Sequence, residues 1–307
     1  MKGVFFMRGK KLIGVLLSLA VIVTGFPVSD ATQSSAKTVI YPTVASGVQV
    51  KESGNCVIDY SNAKDGYVMV KFKKALGPTL KCVVTTGNQA LNDGYKYTLS
   101  LNKYQVIPLT EGNASYHIYL LYEVSGRYAT EMTLALNVKL ADQFGPYLRP
   151  NQFVNYTKNT KVVKKAASIT KKCKNDLAKV KKVYNYVIKN FKYDKKLAAT
   201  VKSGYTPNLN SIYAKKKGIC FDYAAIMTAM LRSQGVPTKL IVGYTGNAYH
   251  AWINVYSKKK GRISKMIYFN GKKWKLMDPT FASTSKSSKS IMKYIGNGKN
   301  YKEKLSY

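Results

Sequence analysis

Three residues in the second half of this 307-residue chain have the types that thiol chemistry needs: Cys220, His250 and Asp278. Cys220 follows Gly218 and Ile219 and opens an apolar run, so it stands at the start of an expected helix. A thiol at a helix N-terminus feels the positive end of the helix dipole, which favours the thiolate. Free amides at that end can face a developing oxyanion, and the small Gly218 would let a substrate backbone approach. His250 is the one histidine in this half and can serve as base. An imidazole needs a partner on its other nitrogen to fix its tautomer, and Asp278 can be that partner. The expected chemistry is nucleophilic attack by Cys220 on a carbonyl. Spacing alone is a weak signal, because many chains hold a cysteine, a histidine and an aspartate in this order.

The elements around these residues can be read from periodicity. In "NDLAKVKKVYNYVIKNFKYD" (175–194), Leu177, Val180, Val183, Tyr184, Val187, Ile188 and Phe191 share a helical face, with Asn175 or Asp176 as cap. From Cys220 to Arg232 the pattern is apolar almost all round, which predicts a buried helix ending at Gly235 with Pro237 beyond. Strands are expected at 238–244 and 250–257, and a hairpin over 266–280 turned at Asn270-Gly271. Antiparallel strands ending at one edge would bring Asp278 to His250 and leave Cys220 facing both. The segment 282–290 reads as a polar loop. Trp252 shares the alternating face of His250, where it either shields the pair from water or packs in the core. Asp222 and Tyr223 either line the cleft or lie on the helix surface.

Residues 37–145 read differently. Stretches 67–73, 79–86, 95–101, 116–124 and 130–138 are rich in β-branched and aromatic residues and are separated by turn residues. That spacing predicts an immunoglobulin-like β-sandwich. Pro146 and Pro150 mark a boundary, with a second domain over 150–307. The fold class is therefore α+β, with the sandwich followed by a helix-and-antiparallel-sheet core. Cys56 and Cys82 either pair across the sandwich or remain two buried thiols. His117 reads as a packed strand histidine and Cys173 as a stray thiol among lysines.

The motif run "KGICFDYAAIMTAMLRSQGVPTKLIVGY", then "HAWINVY", then "WKLMDPT" resembles the transglutaminase-like superfamily over roughly residues 160–281. The resemblance implies a papain-like core, with Cys220 as nucleophile, His250 as general base and acid, and Asp278 as orienter. Two departures stand out. The segment between His250 and Asp278 is long and carries "SKKKGRISK", expected as an exposed loop near the site. Asn254 stands where relatives often carry an acid.

Composition bounds the setting. Lys2, Arg8, Lys10 and Lys11 precede an apolar run over 12–26, and Ser29-Asp30-Ala31 fits a cleavage site. This predicts a signal peptide over 1–31 and a secreted or surface-associated protein with no membrane span after cleavage. The remainder carries 46 basic against 13 acidic residues, a net +33. Only five residues are arginine, so the charge is nearly all lysine, which argues against a nucleic-acid reader. Such a surface attracts polyanions such as cell-wall polymers, or simply keeps the protein soluble. Two histidines and no Cys-x-x-Cys argue against zinc, and the scarcity of carboxylates argues against calcium, so no cofactor is expected. The resemblance, not the composition, implies the activity: acyl transfer on a protein or peptide amide through a Cys220 thioester, with hydrolysis slightly favoured over amine crosslinking. The rival is an inactive surface-binding module.

Overall fold

The structure is a computed structural model that describes residues 38–262, 267–285 and 288–307. The expected signal peptide lies outside these residues, as does part of the lysine-rich segment after Lys260.

Alternation builds the first half. In the strand Tyr95–Leu99, Tyr95, Tyr97 and Leu99 are buried while Lys96 and Thr98 are exposed, the period of two that a one-faced sheet demands. Eight strands form here: β1 (Val50–Glu52), β2 (Cys56–Asp59), β3 (Tyr67–Phe72), β4 (Leu80–Thr86), β5 (Tyr95–Leu99), β6 (Gln105–Pro108), β7 (Ala114–Val124) and β8 (Arg127–Val138). They make two four-stranded antiparallel sheets, ordered β1-β2-β3-β6 and β5-β4-β7-β8. Ser125 and Gly126 both have positive φ, which suits the tight β7–β8 turn. Cys56 and Cys82 sit in different sheets, and both are buried and free. His117 faces Thr85 and Ala135 in the β7 register and stacks beside Tyr119.

The second half begins with α1 (Lys161–Thr170) and α2 (Asp176–Asn190), the latter capped by Asn175, whose side chain accepts from Ala178 N–H. Then come β9 (Lys192–Tyr193), α3 (Lys195–Thr200), α4 (Leu209–Lys215), β10 (Lys217–Gly218) and α5 (Cys220–Arg232). The spacing predicts α5 well. Every residue from Asp222 to Arg232 is buried, which explains its unpatterned apolar run. It ends at Gly235 in the left-handed region, φ +76°.

The remaining elements are β11 (Thr238–Thr245), β12 (Ala248–Val255), β13 (Gly261–Arg262), β14 (Tyr268–Phe269), β15 (Lys275–Met277), α6 (Pro279–Thr284), α7 (Lys289–Asn297) and β16 (Tyr301–Ser306). The main sheet is antiparallel in the order β15-β12-β11-β16 and packs on α5.

Three expectations need correction here. The hairpin over 266–280 does not form. Asn270-Gly271 does turn the chain, with Gly271 at φ +79°, but β14 pairs with β13 while β15 pairs with β12. Trp274 explains the divergence: its ring docks against Tyr147 at 5.3 Å and Phe144 at 5.8 Å, and carries the following strand to the main sheet. The polar stretch 282–290 is not one loop. Its described residues close α6 and open α7. The tail adds a strand to the sheet, and Gly243 allows it: a Cβ there would lie 2.1 Å from Lys302 O, beside the β11–β16 bulge.

The proline-bearing stretch between the halves is packed. The described residues cluster as one compact unit. Tyr307 meets Tyr95 edge-on at 5.4 Å and Phe153 at 4.4 Å, and Phe153 in turn meets Phe221 beside Cys220. Arg232, fully buried at the end of α5, donates to the backbone oxygens of Thr238, Arg149 and Tyr307.

Candidate active site

Cys220 is the first residue of α5 and is half-buried. Its approach is held by the short parallel pair β9–β10, in which Gly218 faces Tyr193. Asp194 braces the same place: its backbone N–H donates to Gly218 O, and its carboxylate caps α3 and pairs with Lys217 at 3.2 Å. Asp222, three residues into the turn, reaches back to accept the Ile219 N–H at 2.9 Å. Tyr205 O–H donates to its other oxygen at 2.8 Å. Asp222 is thus buried beneath the nucleophile position, neither a cleft wall nor a surface residue, and burial pushes its carboxyl upward. Gly218 is required by Asp222: a Cβ would fall 2.6 Å from the Asp222 Cβ. Tyr223 is buried too, with its hydroxyl on Ser283.

His250 lies in the middle of the sheet, opposite Gly243 on β11. Asp278 follows β15 one step beyond the Ile253–Met277 pair and caps α6. Its Oδ1 accepts from the N–H groups of Thr280 and Phe281, both at 3.0 Å. Its Oδ2 lies 2.7 Å from His250 Nε2 and accepts the Tyr301 hydroxyl at 2.9 Å. With Nε2 committed to Asp278, Nδ1 is left for Cys220. The imidazole stacks on Phe281 at 4.8 Å and beside Trp252 at 6.3 Å. Trp252 is buried and meets Tyr301 edge-on, so it packs in the core and screens the pair at once.

The electrostatics follow from this packing. Burial disfavours the charged imidazole, but the hydrogen bonds and negative charge of Asp278 and Cys220 outweigh it and raise His250 to about 9. Burial, then the charge of Asp278, pushes the Tyr301 hydroxyl up, so it stays a donor. Burial raises the Cys173 thiol despite Lys182 and Lys179.

Cys220 and His250 open on a cavity of about 500 Å³, with walls from Tyr193, Val201, Lys202, Tyr205, Val242 and Tyr249. Asn254 is not among its lining residues. The structure brings Cys220 and His250 to one cavity and Asp278 to His250. Sequence reasoning missed Tyr301 and Tyr205. Neither carries a local signal among 25 tyrosines, because each acts only through a partner distant in sequence.

Residues 163–279 match the family model of the transglutaminase-like superfamily, and this stretch is a transglutaminase-like core. Over 118 residues the chain is 25% identical to YebA, an uncharacterized protein of Bacillus subtilis. That match covers 32% of this chain and 16% of YebA. Among solved structures, a candidate cysteine protease from Cytophaga hutchinsonii is 16% identical with a TM-score of 0.36, covering 76% of this chain and 69% of its own. The periplasmic domain of TgpA from Pseudomonas aeruginosa, bound to ethylmercury, is 15% identical with a TM-score of 0.35, covering 82% and 80%.

Proposed function

We propose that the protein is an exported cysteine enzyme that transfers acyl groups from protein or peptide amides. The observation that carries this reading is the 2.7 Å contact of His250 Nε2 with Asp278, set beside Cys220 at the N-terminus of α5. Cys220 Sγ attacks the carbonyl carbon and a C–S bond forms. The oxyanion faces the amides of the first turn of α5. His250 gives its proton to the departing amine, the C–N bond breaks, and a thioester remains. Water then attacks the thioester and forms a C–O bond as His250 takes its proton; the C–S bond breaks, the acid leaves and Cys220 is restored as the thiolate.

Water is the favoured acceptor over a lysine amine. The cavity lining holds one lysine, Lys202, and no carboxylate, so an incoming ammonium meets like charge. We further assign the paired N-terminal sheets to an immunoglobulin-like sandwich that positions the enzyme or its target. The lysine-rich surface docks it on an anionic polymer, and retention on purified cell walls that survives high salt would count against that docking.

A limiting alkylating probe at mildly acidic pH, read by peptide mass spectrometry, tests the nucleophile. Selective labelling of Cys220 that falls in His250→Ala supports it. Equal labelling of all four cysteines leaves the binding-module reading instead. Incubation with a glutamine-rich protein and a tagged amine tests the acceptor: incorporation that needs Cys220 would sink the preference for water.

A further inference from the structure

Next to the Cys220 cavity lies a groove made of two adjoining hollows of about 560 and 450 Å³. Gly204 lines both the cavity and the larger hollow, so the two spaces share a wall. Gln152, Asn155, Tyr156, Thr157 and Thr206 line both hollows and make them one groove. None of the lining residues is charged, in a chain with 50 lysines and arginines.

What the fold leaves free in this groove is a set of amide donors. Asn151 Oδ1 accepts from the N–H groups of Phe153 and Val154, which fixes the orientation of the amide. Its Nδ2 is buried without a partner, and the residue is only 4% exposed. Gln105 Nε2, on β6, is buried and unpartnered too. Asn208 Oδ1 caps α4 through Ser211 N–H, and Asn210 Oδ1 accepts from Lys161 N–H. Each of these asparagines thus spends its acceptor on the fold and keeps its donor. A buried donor with no acceptor is costly to folding, so the Asn151 and Gln105 donors point to a ligand that supplies the acceptors, while Asn208 and Asn210 are exposed and offer theirs at the open side of the groove.

We propose that this groove binds a neutral, acceptor-rich saccharide chain and holds it beside Cys220. The absence of charge excludes recognition by ion pairing, the mode that the lysine surface would use. An extended peptide fits less well. It would add a strand to the neighbouring edge of β5, but that edge is taken: the Gln152 side chain both accepts from Thr98 N–H and donates to Thr98 O, as a peptide unit would. Tyr104, whose ring carries the Lys71 ammonium 4.6 Å from its centroid, adds an aromatic edge to the hydroxyl and amide lining, a combination suited to sugar rings. That an amide attached to such a chain would be delivered to Cys220 rests on the reading of the nucleophile above. The binding itself does not.

The test uses the full chain with Cys220→Ala, so that no turnover contributes. It is titrated calorimetrically with chitohexaose, and separately with an uncharged hexapeptide. The saccharide should bind equally at about 50 and 500 mM salt, since no charge is engaged. Combining Asn208→Asp with Asn210→Asp keeps the Oδ1 acceptors that the fold uses and replaces both donors. It should weaken binding about tenfold or more. Asn155→Ala, in an exposed position, gives a second reading if that pair fails to fold, with about a threefold loss expected. No saccharide binding, full binding in the variants, or tighter binding of the peptide would overturn the groove and leave the Cys220 reading untouched. Failure of Cys220 labelling in the wild type does the reverse.

Discussion

Tyr301 and His250 converge on a single oxygen, Oδ2 of Asp278, from two different strands of the main sheet, β16 and β12. The other carboxylate oxygen is held by two backbone N–H groups of α6. Asp278 therefore cannot rotate without losing several bonds together. Tyr301→Phe removes one of them and little else. The rate of Cys220 alkylation at neutral pH should fall about tenfold or more, the worth of one hydrogen bond to a charged group. An unchanged rate would mean that the other three bonds suffice.

His250 links the site to pH. Its folded-state pKa, about 9, lies above the ordinary histidine value near 6.5. A group raised on folding stabilises the protein below its unfolded pKa, and that contribution is lost as pH rises through the folded one. Asp278→Asn retains the Oδ1 that caps α6 but removes the charge. The melting temperature of the wild type should exceed that of the variant most near pH 6, with the gap closing from about pH 6.5 to 9. A gap that widens over that range would contradict the sign.

Asp222 supports the nucleophile from below. Asp222→Ala frees the Ile219 N–H and strips Tyr205 of its acceptor. The loss in unfolding free energy should be about 1–2 kcal/mol, as for other helix-end contacts, and Cys220 should lose its preferential labelling. Gly218→Ala should produce the same pair of effects, because its methyl displaces Asp222. Normal labelling in both variants would separate the helix end from the reactivity.

Arg232 is fully buried and holds three separate segments by their backbone oxygens. Arg232→Ala leaves three backbone oxygens without their donor and opens a cavity. Denaturant unfolding should show a loss of at least about 3 kcal/mol. A loss below about 1 kcal/mol would show that water replaces the guanidinium.

Local patterns revealed much of this protein. The buried run from Cys220 to Arg232 and the alternation around His250 and Trp252 are set by burial on nearby elements, so they are visible in short windows. Short strands with weak alternation were not. β1, all three residues exposed, has no apolar face to read, and β6 is only four residues long. The fate of β15 was settled by Trp274 docking on Tyr147, a contact that no window of sequence contains. The site followed the same division. Cys220, His250 and Asp278 could be picked out by residue type, while the contacts of Asp222, Tyr205 and Tyr301 came from partners brought together by folding.

The position of β16 also bears on when the site is complete. Proteins are synthesised from the N-terminus, and early segments can begin to fold before later ones exist. A chain made as far as Asp278 already holds the thiol, the imidazole and the carboxylate. It lacks Tyr301, twenty-three residues further on, and the strand that borders β11. Order of manufacture thus leaves Cys220, His250 and Asp278 without the Tyr301 contact until that late strand docks.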